Sequence, residues 1–546
     1  MVRRKNFVHL FTSNAIPQAL EVASIQQAID GFEARISNLK SQIQALEDQV
    51  REHRVLLSPM RRMPPEILGE IFQFIVPGYL DEETRSIVTN LSLVCKTWYY
   101  AAQLTHRLWS RVSISKDTLP VLSPKKMVAW LGRARSPPRS LSICASDEDH
   151  PCRCATNDST RCPLSNQSLI QLLTEGPSLD HLSIFCDAPR CFQRLLDSIA
   201  ESEAAKPRSW DSIKSLGLSI SSRAWRNSTG PESLIFTHIP KSVTSFQLYL
   251  PCAHVAFSRG LPEQSRMAEI PFPNDFLQRL TSFTIKCNWH GTQIFSALVH
   301  CVNVKTLTLD FNADASATDL WPADDPTVEH LTRVGLHLPQ LRTLCMHRVP
   351  STAIKFFEVL HTPSLEKLEI YNPRGFSTAR FYEQLKTSVK VWLQRDHALY
   401  HLSLRHASFH SDEILQSLLA GFPSLTHLTI ECPRFTGISE KARGRRDVFT
   451  ALNGDETLPR LEYLELLNMS CDNISFGKLS PYLMTRRLRE ELGEDCVAIK
   501  QLTLTFEEGQ DPVSQSYRHQ NETEELRNGT VARVDFSRRQ WKIRSP

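Results

Sequence analysis

A short leucine pattern, L-x-x-L-x-[LI], recurs eleven times between residues 179 and 504 of this chain. The central positions of successive copies are 24 to 38 residues apart. One unit repeated at a spacing of about 20–50 residues is typical of solenoids, in which each unit stacks on the next. We therefore expect eleven short parallel strands lying side by side. The copies are Leu179–Ile184, Ile213–Leu218, Val243–Leu248, Leu280–Ile285, Val304–Leu309, Leu341–Met346, Leu365–Ile370, Leu399–Leu404, Leu425–Ile430, Leu461–Leu466 and Ile499–Leu504.

Helical patterns such as QSLIQLLTEG and SDEILQSLLAGF separate the strands. Strand, turn and helix form the unit of leucine-rich repeats, and this chain resembles the long, irregular kind. A doubly wound α/β domain is the alternative, but its strands would be apolar on both faces. Here Thr426, His427 and Thr429 alternate with the leucines, which favours a sheet with one face exposed to water. The predicted fold class is α/β, with parallel strands inside, helices outside and a possible earlier strand at Leu141 and Ile143.

Stacking of the repeats follows from the energetics of a single unit. Three buried aliphatic side chains contribute about 4–9 kcal/mol per strand. Ordering about 30 residues costs about 1–2 kcal/mol per residue, so one repeat cannot stand alone. The polar strand residues would line the concave side of the stack, which we expect to be the binding surface. These residues are His181, Lys214, Glu366, Lys367, Glu369, His401, His427, Glu462, Tyr463 and Glu465.

Residues 17–58 carry a seven-residue repeat of apolar positions with steps that alternate between four and three. This spacing is typical of the seam of a left-handed coiled coil. β-Branched residues on one line and leucines on the other favour a parallel, two-stranded coil. The predicted dimerisation seam is Ile29, Phe32, Ile36, Leu39, Ile43, Leu46 and Val50. The alternative is that this helix folds back onto the rest of the chain.

Residues 59–114 contain two apolar helical stretches, and the first follows a pair of prolines. Pro64 and Pro65 can open a helix because the first N–H groups of a helix have no partners within it. A unit of this size buries little surface by itself, so we expect its excess apolar surface to pack against a partner. The apolar positions are Ile67, Leu68, Ile71, Phe72 and Ile75, then Val94, Cys95 and Trp98, and finally Leu108 and Trp109.

These motifs, in this order, resemble an F-box over about a tenth of the chain. They are the Pro-Glu-Ile-Leu start, the Ile-Phe pair, the Val-Cys-x-x-Trp step and the final Leu-Trp. The stretch between Ile75 and Leu91 is several residues longer than the usual connection. The resemblance implies partners, the Skp adaptor and the cullin ligase core, and implies that the motif residues face that adaptor or hold the facing helices. The alternative is an ordinary helical cap on the solenoid.

The charge balance does not point to nucleic acid or to a membrane as the partner. The formal net charge is +4, which is small for 546 residues. We expect the basic clusters at residues 443–446 and 486–489 to be solvated faces. A poor secretory signal, no stretch of about 18 apolar residues and 14 cysteines predict reduced thiols and a cytoplasmic or nuclear location.

Four cysteines in one short stretch raise the question of a metal. They are Cys144, Cys152, Cys154 and Cys162. Zinc sites usually use closer pairs, so we expect a flexible acidic loop, no metal and no cofactor. No phosphate loop, nucleophile elbow or dinucleotide fingerprint occurs in the sequence, which favours a protein that is not an enzyme. The alternative is an enzyme that uses this loop with a metal.

The predicted organisation has five parts. They are a flexible N-terminus (1–16), a coiled-coil helix (17–58), an F-box-like helical domain (59–114), a repeat solenoid (115–506) and a largely flexible tail (507–546). Within the tail, TVARVDF could form a capping strand. Linkers at 252–272, 311–330 and 431–457 interrupt the repeats. The resemblance implies a substrate-recognition adaptor of a Skp–cullin–F-box ubiquitin ligase that binds an unidentified protein; the alternative is an interaction scaffold without a ligase role.

Overall fold

A computed structural model describes most of the chain. The described residues are 8–57, 59–119, 123–146, 152, 162–202, 208–221, 235–251, 270, 272–287, 291–311, 321, 325–372, 379–393, 399–409, 411–435, 447–454, 457–470, 476–506, 531–533 and 541–544. The chain divides into two compact units. The first unit comprises Met1–Ile75 with Asn90–Thr105, and the second comprises Val76–Thr89 with His106–Pro546.

The first part of the chain is helical. Helix α2 contains 38 residues, and none of them is buried. At its start, the backbone N–H of Gln18 donates to the carboxylate of Glu21 over 2.9 Å, which satisfies one N–H group at the helix end. The helices are α1 (Val8–Thr12), α2 (Ala19–Leu56), α3 (Pro65–Ile75), α4 (Glu82–Leu93) and α5 (Lys96–Leu104).

The second unit is built on one sheet of fifteen strands, of which the first thirteen in spatial order are parallel. Each of these strands pairs with the next in the sequence, apart from four two-residue strands that form two small separate sheets. The thirteen strands are β1 (Arg111–Ser115), β2 (Ser140–Cys144), β3 (His181–Cys186), β4 (Ser215–Ile220), β5 (Ser245–Tyr249), β6 (Ser282–Lys286), β7 (Thr306–Asp310), β9 (Thr343–His347), β11 (Lys367–Tyr371), β12 (His401–Arg405), β14 (His427–Glu431), β16 (Tyr463–Met469) and β17 (Gln501–Phe506). The short strands are β8 (Leu336–His337), β10 (Leu360–His361), β13 (Ser408–Phe409) and β15 (Arg434–Phe435).

The eleven predicted strands are confirmed, and their leucines are in register. One row of buried residues crosses the whole sheet, from Val112 on β1 through Leu182 on β3 to Leu502 on β17. The first leucine of each pattern precedes its strand; Leu179, for example, is buried next to β3. The possible earlier copy at Leu141 is strand β2, which pairs with both β1 and β3.

Helices alternate with the strands, as predicted, and their apolar faces are buried. Helix α8, for example, buries Phe192, Leu195 and Leu196. Asn166 caps helix α7, since its side chain accepts hydrogen bonds from two backbone N–H groups. The helices are α6 (Pro124–Arg133), α7 (Gln167–Glu175), α8 (Pro189–Glu201), α9 (Asn274–Arg279), α10 (Gly291–Leu298), α11 (Pro326–Val334), α12 (Phe356–Val359), α13 (Ala379–Leu393), α14 (Asp412–Leu419), α15 (Val448–Leu452) and α16 (Phe476–Glu491).

Strand β1 was not predicted. Its sequence, RVSIS, alternates apolar and polar residues but contains no leucine, so the leucine pattern does not identify it as a repeat strand. The long connection after Ile75 also packs within the second unit. Its residue Leu80 forms a parallel bridge with Val112, and the backbone N–H of Leu80 donates to the Arg111 carbonyl over 2.8 Å. This connection therefore lies along the first edge of the sheet.

The other edge of the sheet is antiparallel. Strand β19 (Trp541–Arg544) pairs with β17, and β18 (Val531–Arg533) pairs with β19. Strand β18 lies within the predicted TVARVDF strand, whereas β19 was not predicted. Both strands fall in the range expected to be largely flexible.

The prediction that Arg486 lies on a solvated face is wrong. The side chain is 5% exposed and donates hydrogen bonds to four backbone carbonyls, those of Leu458, Pro459, Leu461 and Val497. Its neighbour Arg487 is exposed and pairs with Glu491. The basic cluster at residues 443–446 lies outside the described residues, as does most of the three predicted linkers.

Candidate functional site

Helices α3 and α5 pack together in the first unit. The rings of Phe72 and Trp98 lie 5.3 Å apart, with an angle of 54° between their planes. A Cβ atom added at Gly69 would overlap the hydroxyl oxygen of Thr105. Ala101 of α5 is completely buried. The two helices therefore approach closely through a small residue and are joined by an aromatic pair.

Part of the apolar surface of the first unit is not covered. Ile67 on α3 is 51% exposed, and Val94 after α4 is 60% exposed. Ile67, Ile71 and Phe74 share one side of α3 by their helical spacing, and Phe74 is also exposed. Single exposed apolar residues are ordinary, but a group of them marks an interaction surface. The other exposed members are Ile75, Leu93, Tyr99, Tyr100 and Leu104. We refer to the residues named in this paragraph as the apolar surface.

The structure divides the predicted adaptor-binding residues into buried and accessible groups. Leu68 and Phe72 are completely buried and hold the helices together. Leu108 and Trp109 are also buried, but in the second unit, where the guanidinium of Arg133 lies 4.5 Å from the Trp109 ring. The accessible residues are Pro64, Ile67, Val94 and Cys95, and the half-buried ones are Pro65, Ile71 and Trp98. The sequence does not separate the two groups, because adjacent positions such as 67 and 68 are both apolar.

The heptad residues of α2 form an exposed line. The predicted seam residues are between 42% and 59% exposed, from Ile29 to Leu46. Because residues three and four apart lie on one side of a helix, the seven side chains share one stripe. Helix α2 thus presents a long apolar stripe that the described chain leaves uncovered.

The leucine-free face of the sheet is polar and half-exposed. Side chains alternate along each strand, so that residues between the buried leucines point to the opposite face. We refer to this surface as the polar face. On β1 to β7 it consists largely of small side chains, such as Ser140, Ser215 and Thr306. On β11 to β16 it carries charged and aromatic residues instead. These are Lys367, Glu369, Tyr371, His401, Arg405, His427, Glu431, Tyr463 and Glu465.

Three rings stack across adjacent strands of the polar face. His401, His427 and Tyr463 are in register on β12, β14 and β16. The rings of His401 and His427 are 5.6 Å apart, and those of His427 and Tyr463 are 4.2 Å apart and nearly parallel. The hydroxyl of Thr429 donates to the Glu465 carboxylate over 3.0 Å. The rings therefore form a continuous platform across three strands, and the Glu465 carboxylate lies on the same face.

Charged residues on the same strands form a network. The guanidinium of Arg405 lies 3.4 Å from the Glu369 carboxylate and 3.6 Å from that of Glu431. Glu369 is also 3.6 Å from the ammonium group of Lys367. These ion pairs link three adjacent strands and fix the positions of the charged side chains on the polar face.

Three more of the residues predicted to line the binding surface lie just before their strands. They make ion pairs between neighbouring repeats. Lys214 is 2.7 Å from Asp180, Glu366 is 3.6 Å from Arg342, and Glu462 is 2.8 Å from Lys500. Each pair joins a repeat to its neighbour at an equivalent position. His181, the remaining predicted residue, is exposed on β3.

Burial affects the histidines of the polar face. Burial, together with the positive charge of Lys367, lowers the pKa of His401 from 6.5 to about 4. Burial also lowers the pKa values of His427 and His347. These imidazoles are therefore neutral at pH 7 and act as aromatic, hydrogen-bonding groups rather than as cations.

Two groups of side chains with metal-ligand chemistry come together in the described part of the chain. One is Cys152, Cys162 and Cys191; the other is His406, Glu431 and Cys432. In each group the ligand atoms lie within 4.8 Å of one another. The prediction of no metal concerns Cys144, Cys152, Cys154 and Cys162 and does not include Cys191; of these four, Cys154 lies outside the described residues.

Comparison with known proteins supports the resemblance stated for residues 59–114. No curated protein matches the chain. Among the described residues, no helix combines the length and the hydrophobicity needed to cross a membrane. Residues 60–115 match a family model described as F-box-like. The chain therefore contains an F-box-like domain, and this domain precedes a long parallel sheet that is consistent with a leucine-rich-repeat solenoid.

Proposed function

We propose that this chain is a substrate-recruiting subunit of a Skp–cullin–F-box ubiquitin ligase. F-box-like domains generally serve as adaptors in such ligases and are not catalytic themselves. The match at residues 60–115 is the observation that carries the proposal. In this role the chain contributes proximity, since it holds a target close to the catalytic subunits of the ligase.

The apolar surface is the proposed docking site for the Skp adaptor. It includes the accessible motif residues Ile67 and Val94 and the half-buried Ile71, and the motif residues Cys95 and Trp98 are next to it in the sequence. An apolar helical surface of this kind is suited to packing against helices of a partner. The buried residues Leu68 and Phe72 would act indirectly, by holding α3 against α5.

The polar face is the proposed site for the target protein. Aromatic and arginine side chains dominate binding energy at protein interfaces, and here they are concentrated on β11 to β16. The ring platform of His401, His427 and Tyr463 lies next to Glu465, and the ion network centres on Arg405. We therefore expect the target to occupy the C-terminal half of the sheet rather than its serine-rich N-terminal half.

The adaptor proposal is tested by co-expression of the full chain with a Skp adaptor, followed by measurement of the affinity between the two. We expect a stable complex with the wild type. The double variant Ile67→Glu, Val94→Glu places charges on the apolar surface, and we expect it to weaken binding by more than about tenfold, or about 1.4 kcal/mol. Both side chains are exposed, so the fold is expected to persist.

Val334→Glu provides the matched control, because Val334 is an exposed valine on α11 in the second unit. Its complex with the adaptor should be unchanged. Substitution of Leu68 is unsuitable as a test, since a buried side chain would be lost and any effect on binding would include unfolding. A folded wild-type chain that retains no adaptor would disprove the proposal.

Self-association through α2 is a second part of the proposed function. The exposed apolar stripe of α2 has the heptad spacing that lets two copies of one helix interlock. A second copy of this chain is the partner that fits the stripe of α2, because the α2 helix of that copy carries an apolar stripe of the same spacing and length. Such a dimer would bring two adaptor-binding domains and two target-binding faces into one assembly, which raises avidity for a target with more than one binding segment.

A further inference from the structure

Three cysteines from distant parts of the sequence meet beside strand β3. Cys152 and Cys162 lie in the stretch between β2 and α7, and Cys191 lies at the start of α8. Their sulfur atoms are all within 4.8 Å of one another. All three are thiols rather than disulfides. The fold thus places three soft ligand atoms close together, although Cys162 and Cys191 are 29 positions apart in the sequence.

The separation of the sulfur atoms is close to that of a zinc–thiolate site. Zinc binds thiolate sulfur at about 2.3 Å with tetrahedral geometry, which places any two sulfur ligands about 3.8 Å apart. The observed arrangement needs a contraction of at most about 1 Å to reach this distance. Cys162 is 7% exposed and Cys191 is 2% exposed, so the pair lies inside the protein, while Cys152 is half-buried at the outer side.

Surrounding groups hold the ligands in place. The backbone N–H of Cys152 donates to the carboxylate of Asp187 over 2.6 Å. The same buried carboxylate accepts hydrogen bonds from the hydroxyls of Ser146 and Ser221. Asp187 therefore connects the backbone of Cys152 to the end of β3 and to Ser221, the residue after β4. In metal sites, residues that do not bind the metal themselves often form hydrogen bonds to the ligand residues and so fix the positions of the ligands.

Helix α8 holds Cys191 in place. Pro189 is the first residue of α8, and Cys191 follows two residues later, in the first turn of a 13-residue helix. Cys162 begins a short 3₁₀ turn at Pro163–Ser165, whose Leu164 is completely buried. Both ligands are thus anchored by elements that pack into the core.

We propose that Cys152, Cys162 and Cys191 bind one Zn²⁺ ion, with a water molecule as the fourth ligand of the tetrahedral shell. The ion would tie the stretch between β2 and α7 to the start of α8. Zinc is the metal favoured by a set of thiolate ligands in a reducing compartment. The site is independent of the apolar surface and of the polar face, so it goes beyond the proposed ligase function.

The test is the metal content of the purified full chain. After expression in zinc-supplemented medium and dialysis against metal-free buffer, mass spectrometry should find about one zinc ion per chain. The double variant Cys162→Ser, Cys191→Ser should contain less than about a fifth of that amount, because serine hydroxyls stay protonated and bind zinc poorly. Circular dichroism of both proteins establishes that the variant is folded.

Cys287→Ser, Cys301→Ser is the matched control, because both residues are buried cysteines elsewhere in the second unit. It should retain the full zinc content. If the first variant does not fold, wild-type thiols can be titrated with an organomercurial while a colorimetric indicator records the zinc released. Release of about one zinc ion as about three thiols react supports the proposal.

Two results would overturn the zinc proposal. One is a wild-type chain that holds less than about a fifth of a zinc ion and takes up none when Zn²⁺ is added. The other is equal zinc content in the wild type and in the folded Cys162→Ser, Cys191→Ser variant. Adaptor binding should survive in that variant, so failure of the zinc site and failure of the ligase proposal are distinguishable.

Discussion

The ring of Phe72 on α3 lies 5.3 Å from the ring of Trp98 on α5, and this pair joins the two helices of the F-box-like domain. Phe72 is completely buried, whereas its neighbour on the same helix, Ile67, is half-exposed. One helix therefore carries both a residue that maintains the domain and a residue available to a partner. The two roles can be separated by experiment.

Phe72→Ala should destabilise the F-box-like domain. Loss of a buried phenylalanine leaves a cavity and costs about 3–5 kcal/mol. Limited proteolysis of the full chain should show faster cleavage between residues 65 and 104, and adaptor binding should fall as the domain opens. Ile67→Ala is the control: it should leave proteolysis unchanged and weaken adaptor binding directly. Equal protease resistance of Phe72→Ala and the wild type would contradict this prediction.

Charges in the α2 stripe should separate the proposed dimer. In light scattering after size exclusion, the wild type is expected at twice the mass of one chain, and Ile36→Asp, Ile43→Asp at the mass of one chain. Two aspartates per helix at the seam would be buried without partners. Ala34→Asp, Ser41→Asp changes the opposite side of the same helix and should remain dimeric. A monomeric wild type at micromolar concentration would exclude self-association through α2.

Acid should destabilise the sheet through His401. The pKa of His401 is about 4 in the folded chain and about 6.5 when the chain is unfolded. Above pH 6.5 the imidazole is neutral in both states and this contribution to stability is complete. As the pH falls from 6.5 to 4, the unfolded state binds the proton first, so the contribution is lost.

Thermal unfolding of the full chain at pH 7.5 and pH 5.0 measures this effect. His401→Gln should lose less stability between the two values than the wild type does. His427 and His347 also have lowered pKa values, so part of the acid sensitivity should remain. His53→Gln, on the exposed surface of α2, is the control and should behave like the wild type. An unchanged pH dependence in His401→Gln would count against the role given to this histidine.

Arg486→Met should lower the stability of the last repeats. The guanidinium donates to four backbone carbonyls, and its loss leaves buried acceptors without their donors. We expect a decrease of about 2–4 kcal/mol in the free energy of unfolding. Arg487→Met removes only an exposed ion pair on the same helix and should change stability by less than about 0.5 kcal/mol. Denaturant unfolding, monitored by circular dichroism, compares the two variants; similar losses in both would refute this role.

The sheet could be predicted from the sequence because its leucines repeat the same local environment. Leu182, Leu344 and Leu502 occupy one row, and each needs only its neighbours in the adjacent repeats. Strand β1 was missed because its apolar positions, Val112 and Ile114, lack the leucine pattern. What identifies β1 as part of the sheet is its pairing with β2, and pairing is not visible in a five-residue sequence.

The cysteine site and Arg486 could not be predicted for a different reason. Cys191 lies next to Cys152 and Cys162 only because β3 and α8 bring it there, and local spacing rules do not include such contacts. Arg486 belongs to a basic cluster that resembles a solvated surface. Its burial depends on carbonyl groups around Leu458 and Val497, at the ends of other elements. Sequence patterns predict contacts that repeat along the chain. They do not predict a contact that occurs once between distant parts of the sequence.

Strands β18 and β19 have a consequence for how this protein can be handled. Without Trp541–Arg544, strand β17 would present a full row of peptide N–H and C=O groups with no strand beside it. An open strand of this kind is a template on which another molecule can add its own strand, and the process can continue indefinitely. Fragments that stop before residue 531 should therefore precipitate or form fibres, even though every leucine of the repeats remains in place.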